Sequence, residues 1–356
     1  MLNSSQKTGP GLHDAYARPP DSMRDLFKAW RKHSTSSLTA PDLIDTLEPD
    51  RSKVVLLSDG ESSSSRIQDL EDEFTSSDSP GEQIHEIPDS IWTPGQPFEI
   101  RALPGLYVFP SLLTARLQIS LLNKLLHRDL SNPTHRTNLH LHYDIPYPSP
   151  NHDAESEHEF NNSFFGGQRQ TALQPKDAAV HKAITYAQML ESKLRWMTLG
   201  GQYDWTNKVY PEEVPPAFPS DIGALLRGLF PKVCAQAAIV NLYTPGDTLS
   251  VHRDVSEECD RSLVSISIGC DAIFIAGNED GSRSTSLRLR SGDAILMSGS
   301  SRYAWHAVPK ILPDTCPAWL KDWPDIPEGS QWREWHGWMA KKRINLNVRQ
   351  MKDEDD

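Results

Sequence analysis

The C-terminal third of the chain consists of short apolar runs separated by Gly, Asp and Ser. From Gln236 onward these runs are AAIVNLY, SLVSISIG, DAIFIAG, STSLRLR, GDAILMSG and RINLNVR. Each has the length of a β-strand and is rich in the β-branched and aliphatic residues that strands favour. Helical patterns do not alternate with them, so the spacing predicts a sandwich or barrel rather than a parallel α/β sheet.

Upstream of this region, apolar residues recur every three or four positions, as is typical of helices. Asp21–Lys32 (DSMRDLFKAWRK) predicts a short amphipathic helix that docks on the main domain, and 112–126 and 178–194 predict two more helices. A strand over 105–110 leads into the second helix, and the His-, Pro- and acid-rich stretch 134–159 predicts a loop. The expected fold class is α+β, with a jelly-roll core preceded by helices.

Composition suggests that part of the chain does not fold. Residues 34–88 are dominated by Ser, Asp, Glu and Thr, and a chain of 356 residues with 37% hydrophobic positions has apolar side chains for one core but few for its full length. We therefore expect four segments. These are an N-terminal segment with a short helix (1–33), a disordered acidic, Ser-rich linker (34–95), a helical region (96–235) and a jelly-roll core (236–352).

Charge and compartment signals leave several partners open. The formal net charge is -12, so a nucleic-acid partner would require a local basic surface on an acidic body. The four cysteines form no CxxC pair, which favours a reducing compartment. No apolar run reaches the roughly 18 residues of a membrane span, and no secretory signal is present. We expect a soluble, intracellular protein with no membrane partner.

A His-x-Asp pair marks the first candidate site. His252 and Asp254 lie two positions apart, and residues at that spacing on a strand project to the same face. A later histidine, His306, would complete a set of two imidazoles and one carboxylate that leaves three positions open on a bound metal. A second pair, His142 and Asp144, has no distal histidine on a matching strand and is interpreted as surface loop residues.

The same three residues, His252-Arg-Asp254, also match the start of a kinase catalytic loop. The Asn that this loop requires five positions after the Asp is Cys259 here, and no Gly-rich loop precedes it. The kinase interpretation is therefore rejected.

The last apolar run carries the second candidate site. Alternation places Arg343, Asn345, Asn347 and Arg349 on one face of a strand and aliphatic residues on the other. Inward guanidinium groups require an anionic partner, and a dicarboxylic keto acid would supply one because Arg binds carboxylates through two parallel hydrogen bonds. The alternative is an edge strand with its polar face in water, which is common in antiparallel sheets.

Three blocks in their order along the chain resemble the AlkB family of Fe(II)- and 2-oxoglutarate-dependent dioxygenases. They lie at 241–254 (NLYTPGDTLSVHRD), 292–306 (GDAILMSGSSRYAWH) and 343–350 (RINLNVRQ), within a similarity over 105–350. The resemblance implies a double-stranded β-helix (jelly-roll) core, with Fe(II), 2-oxoglutarate and O2 as metal and co-substrates. It further implies that His252, Asp254 and His306 bind iron.

By the same resemblance, Arg343 binds the distal carboxylate of 2-oxoglutarate. The other residues of this pocket would be Asn241, Tyr243, Asn345 and Arg349. Residues 194–205 resemble the family's nucleotide-recognition lid, in which Trp196 and Tyr203 match aromatic positions that contact the substrate. The alternative is that these aromatic side chains pack in the core.

Two features depart from the bacterial members of the family. The acidic position that contacts the base is Ser256 here, and the stretch between His306 and Arg343 is long and rich in Pro and Trp. Both features are similar to the eukaryotic AlkB homologue 1 branch, which is associated with methyl groups of tRNA and DNA.

The resemblance implies an enzyme that oxidatively demethylates, or hydroxylates methyl groups on, nucleobases in tRNA and/or DNA, in tRNA modification or DNA repair. Two alternatives stay open: a protein hydroxylase or demethylase acting on, for example, histone methyl-lysine, and a silent binding module that has kept the fold. We expect a monomer in the nucleus and/or cytoplasm. The mitochondrion is an alternative, although Asp14, Asp21 and Asp25 make the N-terminus a poor transit peptide.

Overall fold

Two antiparallel sheets form the centre of the molecule in the computed structural model. Among the described residues the strands are β1 (Leu43–Asp45), β2 (Val54–Leu56), β3 (Phe98–Ile100), β4 (Leu106–Phe109), β5 (Tyr143–Asp144), β6 (Ala172–Pro175), β7 (Ile184–Thr185), β8 (Trp196–Gly200), β9 (Ala237–Tyr243), β10 (Leu249–His252), β11 (Leu263–Gly269), β12 (Ala272–Gly277), β13 (Ser284–Leu289), β14 (Ala294–Met297), β15 (Trp305–Ile311) and β16 (Arg343–Arg349). The structure describes residues 14–33, 42–58, 64–76, 92, 94–148, 163–204, 206–211, 213–324 and 331–353.

The helices lie outside these sheets. The α-helices are α1 (Asp21–Lys32), α2 (Ser64–Thr75), α3 (Ala115–Asn123), α4 (Tyr186–Gln188) and α5 (Ser220–Leu229). The π-helical turns Lys124–Asp129 and Met189–Lys193 continue α3 and α4, and the 3-10 turns are Phe164–Gly166, Gly299–Ser301, Ala318–Leu320, Gln331–Trp335 and Trp338–Lys341. Within the described ranges, no helix has the length and apolar character that crossing a membrane requires.

The order of strands is that of a jelly roll. One sheet runs β1-β13-β12-β15-β10 and the other runs β2-β3-β4-β14-β11-β16-β9-β8, while β5, β6 and β7 form a small separate sheet. Apart from the parallel β1–β13 pair, the strand pairs of the two large sheets are antiparallel. The predicted α+β class and jelly-roll core are confirmed.

The first predicted helix is observed with the predicted bounds. Met23 and Trp30 of α1 are buried among Ile273, Ile275 and Trp305 of the five-stranded sheet. The Trp30 indole donates a hydrogen bond of 2.8 Å to the Ser286 hydroxyl. The amphipathic spacing therefore reflects docking on the core, as the sequence indicated.

The expectation of a disordered linker over 34–95 is wrong for most of the residues described there. β1 adds to the edge of one sheet, β2 adds to the other, and α2 buries Ile67 and Phe74. The physical reason is that Ile44, Val54 and these two side chains are buried within a stretch whose average composition is polar. Residues 34–41, 59–63, 77–91 and 93 lie outside the described residues.

Three other element predictions change in detail. The helix predicted over 112–126 begins at Ala115, because the Thr114 hydroxyl accepts a hydrogen bond of 3.0 Å from the Leu117 amide. The helix predicted over 178–194 is wrong before 186, since β7 pairs there with β6 and a capping box between Thr185 and Gln188 starts the helix. The loop predicted over 134–159 contains β5, and its residues 149–159 lie outside the described residues.

The Trp-rich stretch between His306 and Arg343 folds back onto the helical layer. Trp323, Trp335 and Trp338 surround the Phe165 ring with centroid separations of 5.2, 5.7 and 5.2 Å. The His127 imidazole stacks on Trp323 at 5.1 Å. The described part of this stretch therefore belongs to the hydrophobic core.

Candidate active site

The pairing of β10 with β15 brings two histidines together. His252 and His306 are direct partners across this antiparallel pair, and their ring centroids are 4.3 Å apart. Asp254 completes the group, and the ligand atoms of all three lie within 4.8 Å of one another. In the part of the chain that the structure describes, this is the only group of three or more His, Cys, Asp or Glu residues arranged to hold one metal ion.

The position of Asp254 differs from the one predicted from the sequence. β10 ends at His252, so Asp254 lies in the segment that follows the strand rather than on the same strand face. It turns back toward the sheet because β16 holds its carboxylate: Arg349 lies 2.9 Å from Oδ2, and the Asn347 amide donates to the same oxygen at 3.3 Å. The Arg302 guanidinium also donates to the Asp254 carbonyl at 2.9 Å.

Hydrogen bonds orient both imidazoles for metal binding. Nδ1 of His252 donates to the Ser250 carbonyl at 2.9 Å, and Nδ1 of His306 donates to the Ala304 carbonyl at 3.0 Å. The proton on Nδ1 leaves the Nε2 lone pair of each ring available, and these atoms lie 3.9 and 3.7 Å from the Asp254 oxygens. Burial lowers the pKa of His306 to about 4, so its ring is neutral near pH 7.

The Asp254 carboxylate stays ionised despite its burial. Burial by itself would raise the pKa of this carboxyl, but the Arg349 guanidinium and the two imidazoles hold the pKa well below its ordinary value. An ionised carboxylate beside two imidazoles is the donor set of non-haem Fe(II) oxygenases. The donor set therefore fits iron.

Behind Asp254 lies a buried charge network that sequence reasoning missed. Glu257 accepts from Arg302 at 3.0 Å and from Arg349 at 2.9 Å, and all three side chains are almost fully buried. The two arginines that hold Asp254 are thus themselves held by one carboxylate. Glu257 is followed directly by the exposed Glu258, so the sequence offered no signal to separate them.

β16 carries the second half of the site. It lies between β9 and β11, and all seven of its residues are buried, which excludes the alternative of a solvent-facing edge strand. Arg343 is 1% exposed and donates from Nη2 to the Ser267 hydroxyl at 2.8 Å. Its Nε and Nη1 have no hydrogen-bond partner among the described residues, and neither has the Tyr243 hydroxyl that faces the same side of the sheet.

These unpartnered donors fit an anionic co-substrate. Burial lowers the pKa of Arg343 and raises the pKa of Tyr243 to about 12, so the site holds an uncompensated cation beside a neutral phenol. A buried guanidinium without an anion is unfavourable, and a carboxylate would accept from both donors. Arg343 and Tyr243 therefore occupy the positions that the resemblance assigns to 2-oxoglutarate.

The other predicted pocket residues serve neighbouring groups. Asn345 donates to the Ser265 hydroxyl at 2.8 Å and to the Ile266 carbonyl at 3.0 Å, and Asn241 donates to the Asn345 oxygen at 3.5 Å. Arg349 engages Asp254 and Glu257, as described above. Their contact with 2-oxoglutarate stays a prediction. The side-chain oxygen Oδ1 of Asn347, a residue to which we assigned no role in the pocket, has no partner among the described residues.

The predicted substrate residues line one side of this region. Trp196 opens β8 directly opposite Asn241, and it is half-buried. The Tyr203 hydroxyl lies 3.3 Å from the Ser256 hydroxyl, which in turn donates to the Lys208 carbonyl at 2.9 Å. Trp205 lies outside the described residues.

Tyr210 was not predicted from the sequence. Its ring lies 5.1 Å from that of Tyr203, and burial raises the pKa of its hydroxyl, which has no partner among the described residues. The N-terminal segment reaches the same loop, because Lys208 donates to the Ala15 carbonyl at 2.8 Å. The second His-x-Asp pair lies elsewhere, with both His142 and Asp144 exposed.

Comparison with known proteins agrees with this geometry. Residues 146–349 match the 2OG-Fe(II) oxygenase superfamily. The chain is 45% identical to the N6-methyladenosine RNA demethylase ALKB1 of Pyricularia oryzae, over 96% of this chain and 98% of that protein. It is 55% identical to the N6-methyladenosine RNA demethylase ALKBH of Cryphonectria parasitica, over 60% and 100% respectively.

A third relative, the tRNA demethylase abh1 of Schizosaccharomyces pombe, is 38% identical over 72% of this chain and 82% of its own length. The predicted family resemblance is confirmed by these matches. Taken with the His–Asp–His group and the buried Arg343, they establish that the chain belongs to the 2OG-Fe(II) oxygenase superfamily and, within it, to the homologue 1 branch of the AlkB dioxygenases.

Proposed function

We propose that this dioxygenase removes the methyl group from N6-methyladenosine in RNA. The observation that carries the proposal is the convergence of His252, Asp254 and His306 near a buried Arg343 whose N–H groups lack a partner among the described residues. The substrate is supported by the relatives, two of which are named N6-methyladenosine RNA demethylases and a third a tRNA demethylase. DNA bases stay a second nucleic-acid substrate to be tested.

In the proposed assignment each group has one task. His252, Asp254 and His306 would hold Fe(II) on one face, and Arg343 with Tyr243 would hold the distal carboxylate of 2-oxoglutarate. When bound, iron, 2-oxoglutarate and O2 supply the oxidation of a methyl C–H bond to an alcohol, with succinate and CO2 as co-products. A hydroxymethyl group on the N6 nitrogen then releases formaldehyde and leaves the unmethylated base.

The chain's own contribution is orientation and exclusion of water. Arg349 and Asn347 keep Asp254 ionised and aimed at the two imidazoles. The methylated base has to leave its stack to reach so enclosed a site, and Tyr203 offers an aromatic surface and a hydroxyl at the entrance. Ser256 presents a hydroxyl where the bacterial enzymes have an acidic side chain, so base recognition here would depend on uncharged groups.

The test is production of succinate and formaldehyde with Fe(II) and 2-oxoglutarate. The substrate panel contains N6-methyladenosine RNA, methylated tRNA, methylated single-stranded DNA and a methyl-lysine histone peptide, and the His306→Ala variant is the inactive control. We expect formaldehyde from the RNA with wild type only. Turnover of the peptide but of no nucleic acid would overturn the proposal in favour of a protein substrate.

We further propose that the enzyme acts as a monomer in the nucleus or cytoplasm, with the mitochondrion as the alternative compartment. Light scattering after size-exclusion chromatography should give a mass near 40.0 kDa. Imaging of a C-terminally tagged chain should place it outside the secretory pathway.

A further inference from the structure

A cluster of cationic side chains lies beside the strand that leads into the substrate loop. The segment containing Arg136 runs along the outer edge of β8: the Arg136 carbonyl accepts from the Thr198 amide at 2.9 Å, and the Asn138 amide donates to the Trp196 carbonyl at 3.2 Å. β8 ends at Gly200, three residues before Tyr203, whose hydroxyl lies 3.3 Å from that of Ser256. We call this cluster the cationic ridge; its cations are Arg136, Lys176 and Lys182, and the rings of His140, His142 and His181 lie among them.

The ridge is held together by backbone and ring contacts. The Lys176 ammonium donates to the His140 carbonyl at 2.6 Å, and its amide donates to the His142 carbonyl at 2.9 Å. The His142 and His181 rings are 4.7 Å apart. The Tyr143 hydroxyl donates to the Lys182 carbonyl at 3.2 Å, which joins the remaining cation to the group.

The ridge cations are exposed and are not neutralised by described carboxylates. Arg136, Lys176 and Lys182 are exposed and form no ion pair with another described residue. Burial lowers the pKa of His140, and the nearby Arg136, Lys176 and His142 lower it further, as expected where like charges gather.

Acidic groups near the ridge are few among the described residues. Asp144 is exposed at the adjacent strand, and the Asp177 carboxylate accepts a hydrogen bond of 2.9 Å from the Ala179 amide. In contrast, Arg195, which directly precedes β8, is paired with Asp247. Unpaired cations concentrated at one place on a chain of net charge -12 form a local surface suited to phosphates.

We propose that the cationic ridge binds the phosphate backbone of single-stranded RNA and delivers the target base to the entrance beside Tyr203. This inference rests on the proposed function, since it identifies how the same substrate is held. Lys and Arg side chains on an exposed surface bind phosphates without reading sequence, and the exposed His142 ring adds a surface on which an unpaired base can stack.

The experiment compares two double variants with the same change in charge. Lys176→Ala/Lys182→Ala removes two ridge cations, and Lys28→Ala/Lys352→Ala removes two exposed lysines from other surfaces. Binding of a fluorescent single-stranded RNA is measured by anisotropy across a salt series. Each lost phosphate contact should reduce the slope of log K against log salt by about 0.7, so the ridge variant should lose about 1.4 and bind about 25-fold more weakly at 0.1 M salt.

Turnover measurements distinguish a loss of RNA binding at the ridge from a loss of catalysis at the iron site. The ridge variant should process free N6-methyladenosine at the wild-type rate and the methylated oligonucleotide poorly, whereas the control variant should match wild type on both. An unchanged salt slope for the ridge variant would overturn the inference even if demethylation is observed. If the ridge variant shows a reduced salt slope but the wild-type protein demethylates no RNA, the RNA-binding role of the ridge stands and the proposed function is overturned. Equal binding of poly-glutamate would reassign the ridge to acidic proteins.

Discussion

Replacing Glu257 with Ala should destabilise the protein more than any change at its exposed neighbour. The carboxylate is buried and bonds to Arg302 at 3.0 Å and Arg349 at 2.9 Å. Its removal leaves the buried Arg302 guanidinium without a carboxylate and leaves Arg349 with Asp254 alone. The protein then keeps the desolvation cost of both guanidinium groups but loses part of the attraction that offsets it.

The size of the expected loss in unfolding free energy depends on the hydrogen-bond partners that each arginine keeps. Breaking one partner out of a buried ion pair costs about 3–5 kcal/mol. Arg302 keeps carbonyl acceptors at 2.6 and 2.9 Å, and Arg349 keeps Asp254 at 2.9 Å. We therefore expect a loss near the lower end, about 3 kcal/mol, which corresponds to a fall in Tm of roughly 6–12 °C for a domain of this class.

Thermal unfolding followed by circular dichroism measures this loss, with Glu258→Ala as the matched control. Glu258 approaches Lys352 at 3.6 Å with both side chains 69% exposed, so its removal should change stability by less than about 0.5 kcal/mol. Metal affinity gives a second readout, because looser arginines position Asp254 less well and should weaken Co(II) binding about 10- to 100-fold. Equal Tm values for the two variants would refute the reasoning.

Three further predictions follow from the site and its surroundings. Arg343→Lys keeps the charge but removes the planar fork, so the Kd for 2-oxoglutarate measured by titration calorimetry should rise about 10- to 100-fold, whereas Lys341→Ala should leave it unchanged. Burial lowers the pKa of His127 to about 3, below the value of about 6.5 in the unfolded chain. The unfolded chain therefore takes up a proton that the folded protein does not, and the free energy of unfolding falls as the pH drops below about 6.5. Between pH 7 and pH 5, the free energy of unfolding measured by urea titration should fall by about 2 kcal/mol less for His127→Gln than for wild type. Tyr203→Phe removes the hydroxyl that contacts Ser256, and kcat/KM for methylated RNA should fall about 2- to 12-fold without a change in the Kd for 2-oxoglutarate; an unchanged kcat/KM would place Tyr203 outside substrate recognition.

Local patterns in the sequence were sufficient to place the faces of the core strands. The alternation of Arg343, Asn345, Asn347 and Arg349 predicted a polar inner face, and β16 has that face. Period-two alternation survives in the structure because a one-residue slip would expose the whole aliphatic set.

Features that depend on distant partners were not predictable from local patterns. Asp254 leaves the strand and is held in place by Arg302 and Arg349, which lie far along the chain. Likewise, Glu257 and Glu258 are adjacent in sequence, and Glu257 is the buried one because it contacts Arg302 and Arg349. Average composition also concealed the few apolar residues, such as Ile67, that fold the segment expected to be a linker.

The central position of β16 has a consequence for how the enzyme forms. Its neighbours β9 and β11 are both made earlier by the ribosome, and the gap between them stays open until β16 is inserted. Until then Asp254 lacks Arg349, and the 2-oxoglutarate position lacks Arg343. Late pairing over such long sequence separations is slow and leaves strand edges exposed, so nascent chains that stall before β16 should be inactive and dependent on chaperones.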